Sequence, residues 1–126
     1  RYGVPMARNP NFPINTLPYM RAITGMQMHH AERLEHFTNT VFEALWVHAL
    51  NFNDPAVAGA TLAEAGYPPE LVQGLIADPQ VKARLKAVTD VAVERGVFGA
   101  PTICAGGEIF WGQDRLDWVK EALQAD

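Results

Sequence analysis

The chain has 126 residues, of which 48% are hydrophobic, and its formal net charge at pH 7 is −4. This length and composition are enough for one domain with a buried core, and the mixed charges lack the clustered Lys and Arg of a nucleic-acid-binding surface. No apolar run reaches the roughly 18 residues of a membrane span and no signal-peptide pattern opens the chain, so neither nucleic acid nor a membrane is an expected partner.

The first residues resemble the end of a helix rather than the start of a protein. Arg1-Tyr2-Gly3 fits a last helical turn, with Gly3 just after the helix and Pro5 beyond it. A short extended run is expected over residues 4–7. Because position 1 is not methionine, we expect part of the fold to precede Arg1.

The middle of the chain is predicted to be helical. Asn15 is expected to cap a helix that runs to about Met26, with Pro18 in its first turn. A longer helix is expected from about Ala31 to Leu50, because apolar residues recur there at helical spacing. Later helices are predicted to begin at Asp54-Pro55, Pro68-Pro69 and Asp78-Pro79 and to end near Gly66, Ile76 and Gly96.

A β-hairpin and a final helix are predicted near the C-terminus. Strands over Thr102–Ala105 and Glu108–Trp111 flank Gly106-Gly107, a strong signal for a two-residue turn. The final helix is expected from about Gln113. Two short strands are only marginally stable alone, so we expect the strands that complete the sheet to lie upstream of Arg1.

Two other groups of chemically active residues favour structural roles. His29, Glu32 and His36 are spaced to share one helix face, but nothing elsewhere completes a ligand set, so no metal site is expected. Cys104 is the single cysteine, which excludes an internal disulfide and is typical of the cytoplasm. We expect it to be a small buried hydrophobic residue on its strand.

The segments at the two ends of the hairpin suggest a site for a small peptide. A proline is the residue whose preceding peptide bond is cis at low cost, and a cis Pro101 would turn the backbone N–H and C=O of Ala100 outward. Free N–H groups at the start of the last helix suit a carboxylate, and Asp114 suits an ammonium group. Together they match an amino-acid head group. Alternatively, the same residues have only a structural role, as a turn followed by an acidic residue that caps the last helix.

Read together, the segments G-V-F-G-A-P-T, F-W-G-Q-D-R-L and F-P-I-N-T-L-P-Y-M-R-A resemble one known family. They are similar to the 2-hydroxychromene-2-carboxylate isomerases, which are related to kappa-class glutathione transferases and DsbA-like disulfide oxidoreductases. The resemblance covers essentially the whole chain. It implies an α/β thioredoxin-like fold with an inserted helical domain. On this resemblance, we expect the chain to lack the N-terminal βαβ half and therefore to be mostly α with a C-terminal β-hairpin and helix.

The resemblance also implies a domain division and a glutathione cofactor. Residues 1–14 would connect to the missing half, 15–95 would form the inserted helical domain, and 96–126 the C-terminal ββα part. The resemblance makes Pro101 the cis-proline of the fold and pairs the backbone of Ala100 with the cysteinyl unit of glutathione. Gln113 and Asp114 would hold the γ-glutamyl end, and Gly112 would allow its close approach.

The resemblance places the remaining roles at the start of the chain or before it. The segment Phe12–Thr16, with Asn15, and the helix residue Arg21 would contact an aromatic carboxylate substrate. By residue type alone, Arg21 is a candidate carboxylate ligand or an exposed helix arginine. No catalytic residue is expected within the chain, because the serine near the glutathione thiol would precede Arg1.

The implied activity is the glutathione-dependent interconversion of 2-hydroxychromene-2-carboxylate and trans-o-hydroxybenzylidenepyruvate, in aromatic catabolism and in the cytoplasm. The chain alone is expected to be inactive, and its exposed helical surface is compatible with a homodimer. Alternatives are a kappa-type glutathione transferase, a DsbA-like thiol–disulfide oxidoreductase and a non-enzymatic helical interaction fragment. The W-G-x-D-R string favours the isomerase and kappa relatives over the oxidoreductases.

Overall fold

The computed structural model describes residues 3–124, so the helix end expected at Arg1-Tyr2 lies outside the described residues. The elements in chain order are α1 (Leu17–His29), a 3₁₀ turn (Ala31–Arg33), α2 (Leu34–Trp46), α3 (Pro55–Glu64), α4 (Pro69–Ala77), α5 (Pro79–Glu94), β1 (Thr102–Ala105), β2 (Glu108–Trp111) and α6 (Leu116–Gln124). They form two compact units, residues 1–86 and residues 87–126. Over residues 3–124, no helix is both long enough and apolar enough to cross a membrane.

The Asp-Pro signals mark two helix starts as predicted. The carboxylate of Asp54 accepts a hydrogen bond from the backbone N–H of Ala56 at 2.9 Å, and α3 begins with Pro55. The carboxylate of Asp78 accepts in the same way from Gln80 at 2.7 Å, ahead of α5. In both cases the side chain satisfies a donor that a helix start leaves free.

Two of the helix boundaries predicted within residues 1–86 were wrong. Helix α1 is capped by Thr16 rather than Asn15, although the side-chain oxygen of Asn15 accepts from the N–H of Leu17 at 3.2 Å. The helix expected to reach Leu50 ends at Trp46, because the chain turns back through Ala49, whose φ is +52°. The N–H of Leu50 then bonds the carbonyl of Ala44 at 2.9 Å.

The core of residues 1–86 lies among α1, α2, α3 and α4. Its fully buried side chains include Met26, Phe37 and Tyr67. Helices α1 and α4 approach each other at Gly25, where an added Cβ would lie 2.9 Å from the Cβ of Leu75. That distance is shorter than carbon–carbon contact allows, so the packing of these two helices requires glycine.

Asn9 fixes the segment before α1 to the end of α2. It is 4% exposed, and its side-chain amide donates to the carbonyls of Leu45 and Leu50, both at 3.0 Å. Its side-chain oxygen accepts from the backbone N–H of Asn11 at 2.9 Å. The expected extended run over residues 4–7 forms no strand, but the N–H of Ala7 bonds the carbonyl of Trp46 at 2.6 Å. The segment is therefore held by polar contacts rather than by a sheet.

The hairpin of residues 87–126 has the predicted strands and register. Strands β1 and β2 pair antiparallel from Thr102 with Trp111 to Ala105 with Glu108. Gly106 and Gly107, at φ +56° and +74°, make the two-residue turn.

Helix α6 covers one face of this hairpin, where Phe110 and Val119 are buried. Cys104 pairs with Ile109, and pairing positions alternate between the two faces of the sheet. Cys104 therefore lies on the face opposite Phe110 and is exposed, so the expectation that it is buried was wrong.

Candidate functional site

The Ala100–Pro101 peptide bond is cis, as the sequence predicted. Both residues are exposed, and among residues 3–124 the backbone N–H and C=O of Ala100 have no hydrogen-bond partner. The Thr102 side chain bonds the carbonyl of Gly99 and fixes the turn into β1. An extended peptide could therefore pair with Ala100 in the manner of an added strand.

A backbone hydrogen bond joins the two predicted halves of the site. The N–H of Gly112 donates to the carbonyl of Pro101 at 3.0 Å, which places the residue after β2 beside the residue before β1. Gly112 has φ +108°, and an added Cβ would lie 2.5 Å from the Oδ1 of Asp114. Glycine is thus required at this position, and it lets the Asp114 carboxylate fold back over the backbone.

The last helix begins later than predicted. Helix α6 starts at Leu116, and its first backbone bond runs from the N–H of Val119 to the carbonyl of Arg115 at 3.1 Å. Gln113 and Asp114 therefore lie in the turn that connects β2 to α6. The expected placement of Asp114 in the first helical turn was wrong, and its carboxylate lies in a loop instead.

The carboxylate of Asp114 remains accessible. Its Oδ1 lies 3.8 Å from the Nε of Arg115, with 52% of the Asp114 side chain and 42% of the Arg115 side chain exposed. The Arg115 guanidinium also lies over the Trp118 ring, 4.5 Å from its centroid. An exposed pair at this distance is weak, so Asp114 can still receive a ligand ammonium group.

An aromatic surface lies next to Ala100. The Trp111 indole packs on Gly99, where an added Cβ would lie 2.6 Å from the indole Nε1. The rings of Phe98 and Trp111 have centroids 5.4 Å apart, and both side chains are more than half exposed. These residues give the site an apolar margin beside the free backbone of Ala100.

The two substrate residues suggested by the resemblance both belong to the unit of residues 1–86. Asn15 lines a cavity between α1, α3 and α4. Arg21 lies half-buried on α1 and lines neither that cavity nor the cleft described next. Their role in binding the substrate stays a prediction.

An open cleft lies near the start of the chain, and of its lining only Phe12 was expected from the sequence to contact a substrate. Its walls are the apolar side chains of Met6, Phe12 and Trp46, and among residues 3–124 Arg8 is the one charged residue that lines it. The rings of Phe12 and Trp46 lie 6.3 Å apart. An aromatic wall with one guanidinium suits a flat molecule that carries a carboxylate.

Asn9 also lines the cleft and was missed. Its contacts reach 36 and 41 positions along the chain, so local sequence patterns do not indicate them. The available signal was the pair of Asn-x-Asn triplets at residues 9–11 and 51–53, since asparagine side chains commonly bond nearby backbone.

The histidines noted in the sequence contact other partners. His29 lies 3.7 Å from a carboxylate oxygen of Asp78. The Nδ1 of His36 lies 2.6 Å from the Tyr67 hydroxyl. Within residues 3–124, no group of three or more His, Cys, Asp or Glu side chains is arranged to hold a metal ion.

Comparison with known proteins gives a consistent set of relatives. The model of the DSBA-like thioredoxin domain family matches residues 1–124. The chain is 30% identical over 115 residues to glutathione S-transferase kappa 1 of Homo sapiens, which covers 86% of this chain and 51% of that protein. It is 25% identical over 122 residues to 2-hydroxychromene-2-carboxylate isomerase of Pseudomonas putida, which covers 97% of this chain and 58% of that protein.

A solved 2-hydroxychromene-2-carboxylate isomerase structure is similar with a TM-score of 0.72 at 24% identity, covering 98% of this chain and 59% of that one. This likeness shows a shared fold. The chain spans between about half and three-fifths of the length of the curated relatives it matches.

Proposed function

This chain belongs to the DSBA-like thioredoxin domain family, and we propose that the whole protein is a glutathione-dependent isomerase of 2-hydroxychromene-2-carboxylate. The family and the fold are those expected from the sequence, with helices and a two-stranded antiparallel sheet over residues 3–124. The relatives named above are an isomerase and a transferase, which supports an enzymatic role.

One observation carries the glutathione part of the proposal. The hydrogen bond from Gly112 to Pro101 sets the unpartnered backbone of Ala100 close to the exposed Asp114 carboxylate. In the proposed complex, Ala100 pairs with the peptide backbone, and Asp114 receives the γ-glutamyl ammonium group. Glycine at position 112 lets the Asp114 carboxylate fold back over the backbone of this turn, in which Gln113 also lies.

The cleft lined by Arg8 supports the part of the proposal that concerns the aromatic substrate. Arg8 would hold the substrate carboxylate while Phe12 and Trp46 contact its ring. In the proposed reaction, the thiolate of glutathione adds to the conjugated substrate, rotation occurs about the resulting single bond, and the thiolate leaves again, so that glutathione is regenerated. We propose that the residue which tunes this thiol is not among those of this chain.

The test of the proposed reaction is a product analysis. The whole protein is incubated with 2-hydroxychromene-2-carboxylate, with and without glutathione, and products are separated and weighed by mass spectrometry. An isomerase gives trans-o-hydroxybenzylidenepyruvate of unchanged mass, only when glutathione is present. Conversion that proceeds equally well without glutathione would refute the proposal.

A kappa-type glutathione transferase is the second candidate. It is favoured by the 30% identity to glutathione S-transferase kappa 1, which exceeds the identity to the isomerases. The same incubation distinguishes it, because a transferase leaves a stable adduct whose mass includes glutathione.

Asp114→Asn should weaken glutathione binding by about tenfold, the loss expected for one charge-assisted hydrogen bond. Isothermal titration of the whole protein measures this. Asp117→Asn is the matched control, because Asp117 is also exposed but lies in α6. N-Acetylglutathione, which lacks the ammonium charge, should bind wild type and Asp114→Asn equally weakly. If Asp114→Asn still prefers glutathione to its acetylated form as strongly as wild type does, the assigned role is wrong.

Arg8→Leu should raise the KM for 2-hydroxychromene-2-carboxylate by about tenfold with little change in kcat, because it removes a binding charge. Steady-state rates of the whole protein supply both constants. Arg21→Leu is the comparison, since Arg21 is the other arginine suggested for this carboxylate. A rise in KM with Arg21→Leu but not with Arg8→Leu would mean that Arg21 on α1, and not Arg8, binds the substrate carboxylate.

A further inference from the structure

A cavity of about 310 Å³ lies between α1, α3 and α4 in the unit of residues 1–86. We infer that it binds an uncharged aromatic molecule of one or two rings that carries a hydrogen-bond acceptor such as a ketone. Its volume lies within the range of small-molecule sites, about 300–1,000 Å³. It shares no lining residue with the cleft of Arg8. It is therefore separate from the cleft proposed for the aromatic substrate.

The inner wall of the cavity is apolar and aromatic. Its buried lining consists of Tyr19, Phe52, Ala58, Leu62, Tyr67 and Val72. The hydroxyl of Tyr19 donates to the carbonyl of Phe52 at 2.6 Å, and the hydroxyl of Tyr67 lies 2.6 Å from the Nδ1 of His36. Because both hydroxyls have partners, the wall presents ring carbon to a ligand, and aromatic rings pack well on such surfaces.

The lining of the cavity offers no charge to balance that of a ligand. Within residues 3–124, none of the residues that line it is Asp, Glu, Lys, Arg or His. Burial raises the pKa of both phenols above the ordinary value of 10.0, although Arg33 lowers that of Tyr67 in part, so both remain neutral at physiological pH. A charged ligand would lose its hydration here without compensation. The preferred ligand is therefore neutral.

The exposed rim supplies hydrogen-bond donors. The Asn53 amide is already used, since its Nδ2 donates to the carbonyl of Pro13 at 3.1 Å and its Oδ1 accepts from the N–H of Asn15 at 3.0 Å. The side-chain nitrogens of Asn15 and Gln73 have no partner in the described part of the chain. A ligand acceptor at the rim would satisfy them, which is why the ligand should carry one.

Gly59 leaves the cavity open. It lies inside α3, where glycine is less favourable than alanine by about 1 kcal/mol. Packing does not require it, because an added Cβ would meet no atom within 4 Å. A larger side chain at this position would enter the cavity that Gly59 lines.

The test uses 2-acetylnaphthalene, which is neutral and carries a ketone. It is titrated into the isotopically labelled whole protein and followed by NMR. Saturable shifts are expected at the amides of Gly59, Leu62 and Val72, with a Kd below about 1 mM, which corresponds to about 4 kcal/mol. 2-Naphthoate, with the same rings and a carboxylate, should bind at least about tenfold more weakly. Equal binding of the two compounds, or no saturable shift at these amides, would overturn the inference.

Two glycine variants separate filling of the cavity from changes in helix stability. Gly59→Leu should weaken 2-acetylnaphthalene binding by at least about tenfold, while keeping α3 stable because leucine is a better helix former than glycine. Gly74→Leu is the matched control, since Gly74 is also a helix glycine with open space but does not line the cavity. Unchanged binding in Gly59→Leu, or an equal loss in both variants, would contradict the assigned site.

Gln73→Ala keeps the test decisive if Gly59→Leu does not fold. The variant should weaken binding of 2-acetylnaphthalene but not of naphthalene, which has no acceptor. If Gln73→Ala weakens neither compound, the assigned rim donor is wrong and the inference fails.

Discussion

Replacing Gly25 with alanine should lower the free energy of unfolding by about 2 kcal/mol. The new methyl group would lie 2.8 Å from the Cδ2 and 2.9 Å from the Cβ of Leu75, so α1 and α4 would have to separate. Overpacking of this kind costs up to about 3 kcal/mol, and the better helix propensity of alanine returns about 1 kcal/mol. Urea unfolding followed by circular dichroism measures the difference.

Gly74→Ala is the control for this prediction, because it makes the same change inside α4 where an added Cβ meets nothing within 4 Å. It should gain about 0.5–1 kcal/mol from helix propensity alone. If both variants become more stable, α1 and α4 do not approach as closely as described.

Replacing Asn9 with alanine should lower the free energy of unfolding by about 3 kcal/mol, because each buried group left without a partner costs about 1–3 kcal/mol. Three backbone groups would lose their hydrogen bond to the Asn9 side chain: the carbonyls of Leu45 and Leu50 and the N–H of Asn11. Hydrogen exchange should show faster exchange of the Asn11 amide in the variant than in wild type.

Asn39→Ala is the matched control for Asn9→Ala. Asn39 is exposed on α2, and surface changes usually stay within about 0.5 kcal/mol. A loss for Asn9→Ala no greater than that of Asn39→Ala would mean that water replaces the Asn9 contacts at no cost.

The features that the sequence predicted correctly depend on neighbouring residues. Asp54-Pro55 and Asp78-Pro79 begin helices because each aspartate bonds a backbone N–H only two positions further on. Gly106-Gly107 makes its turn through φ values that glycine readily adopts. The cis bond before Pro101 was also expected, from proline chemistry and from the family resemblance.

The features that were missed depend on distant residues. The end of α2 at Trp46 follows from the turn through Ala49, which no local periodicity indicates. The exposure of Cys104 is decided by which hairpin face α6 covers, and alternation along β1 alone does not say which. The cleft around Arg8 forms only when the segment before α1 meets Trp46.

The exposed thiol of Cys104 allows the hairpin to be labelled chemically. Since Cys104 is the single cysteine of the chain and its side chain reaches solvent, a thiol-specific reagent attaches at one known position without prior mutagenesis. The attached group sits on β1, two residues beyond Thr102 and on the strand that Ala100 and Pro101 precede. A fluorophore or spin label there reports on the environment of the hairpin directly, and a reducing buffer keeps unlabelled molecules from joining through this thiol.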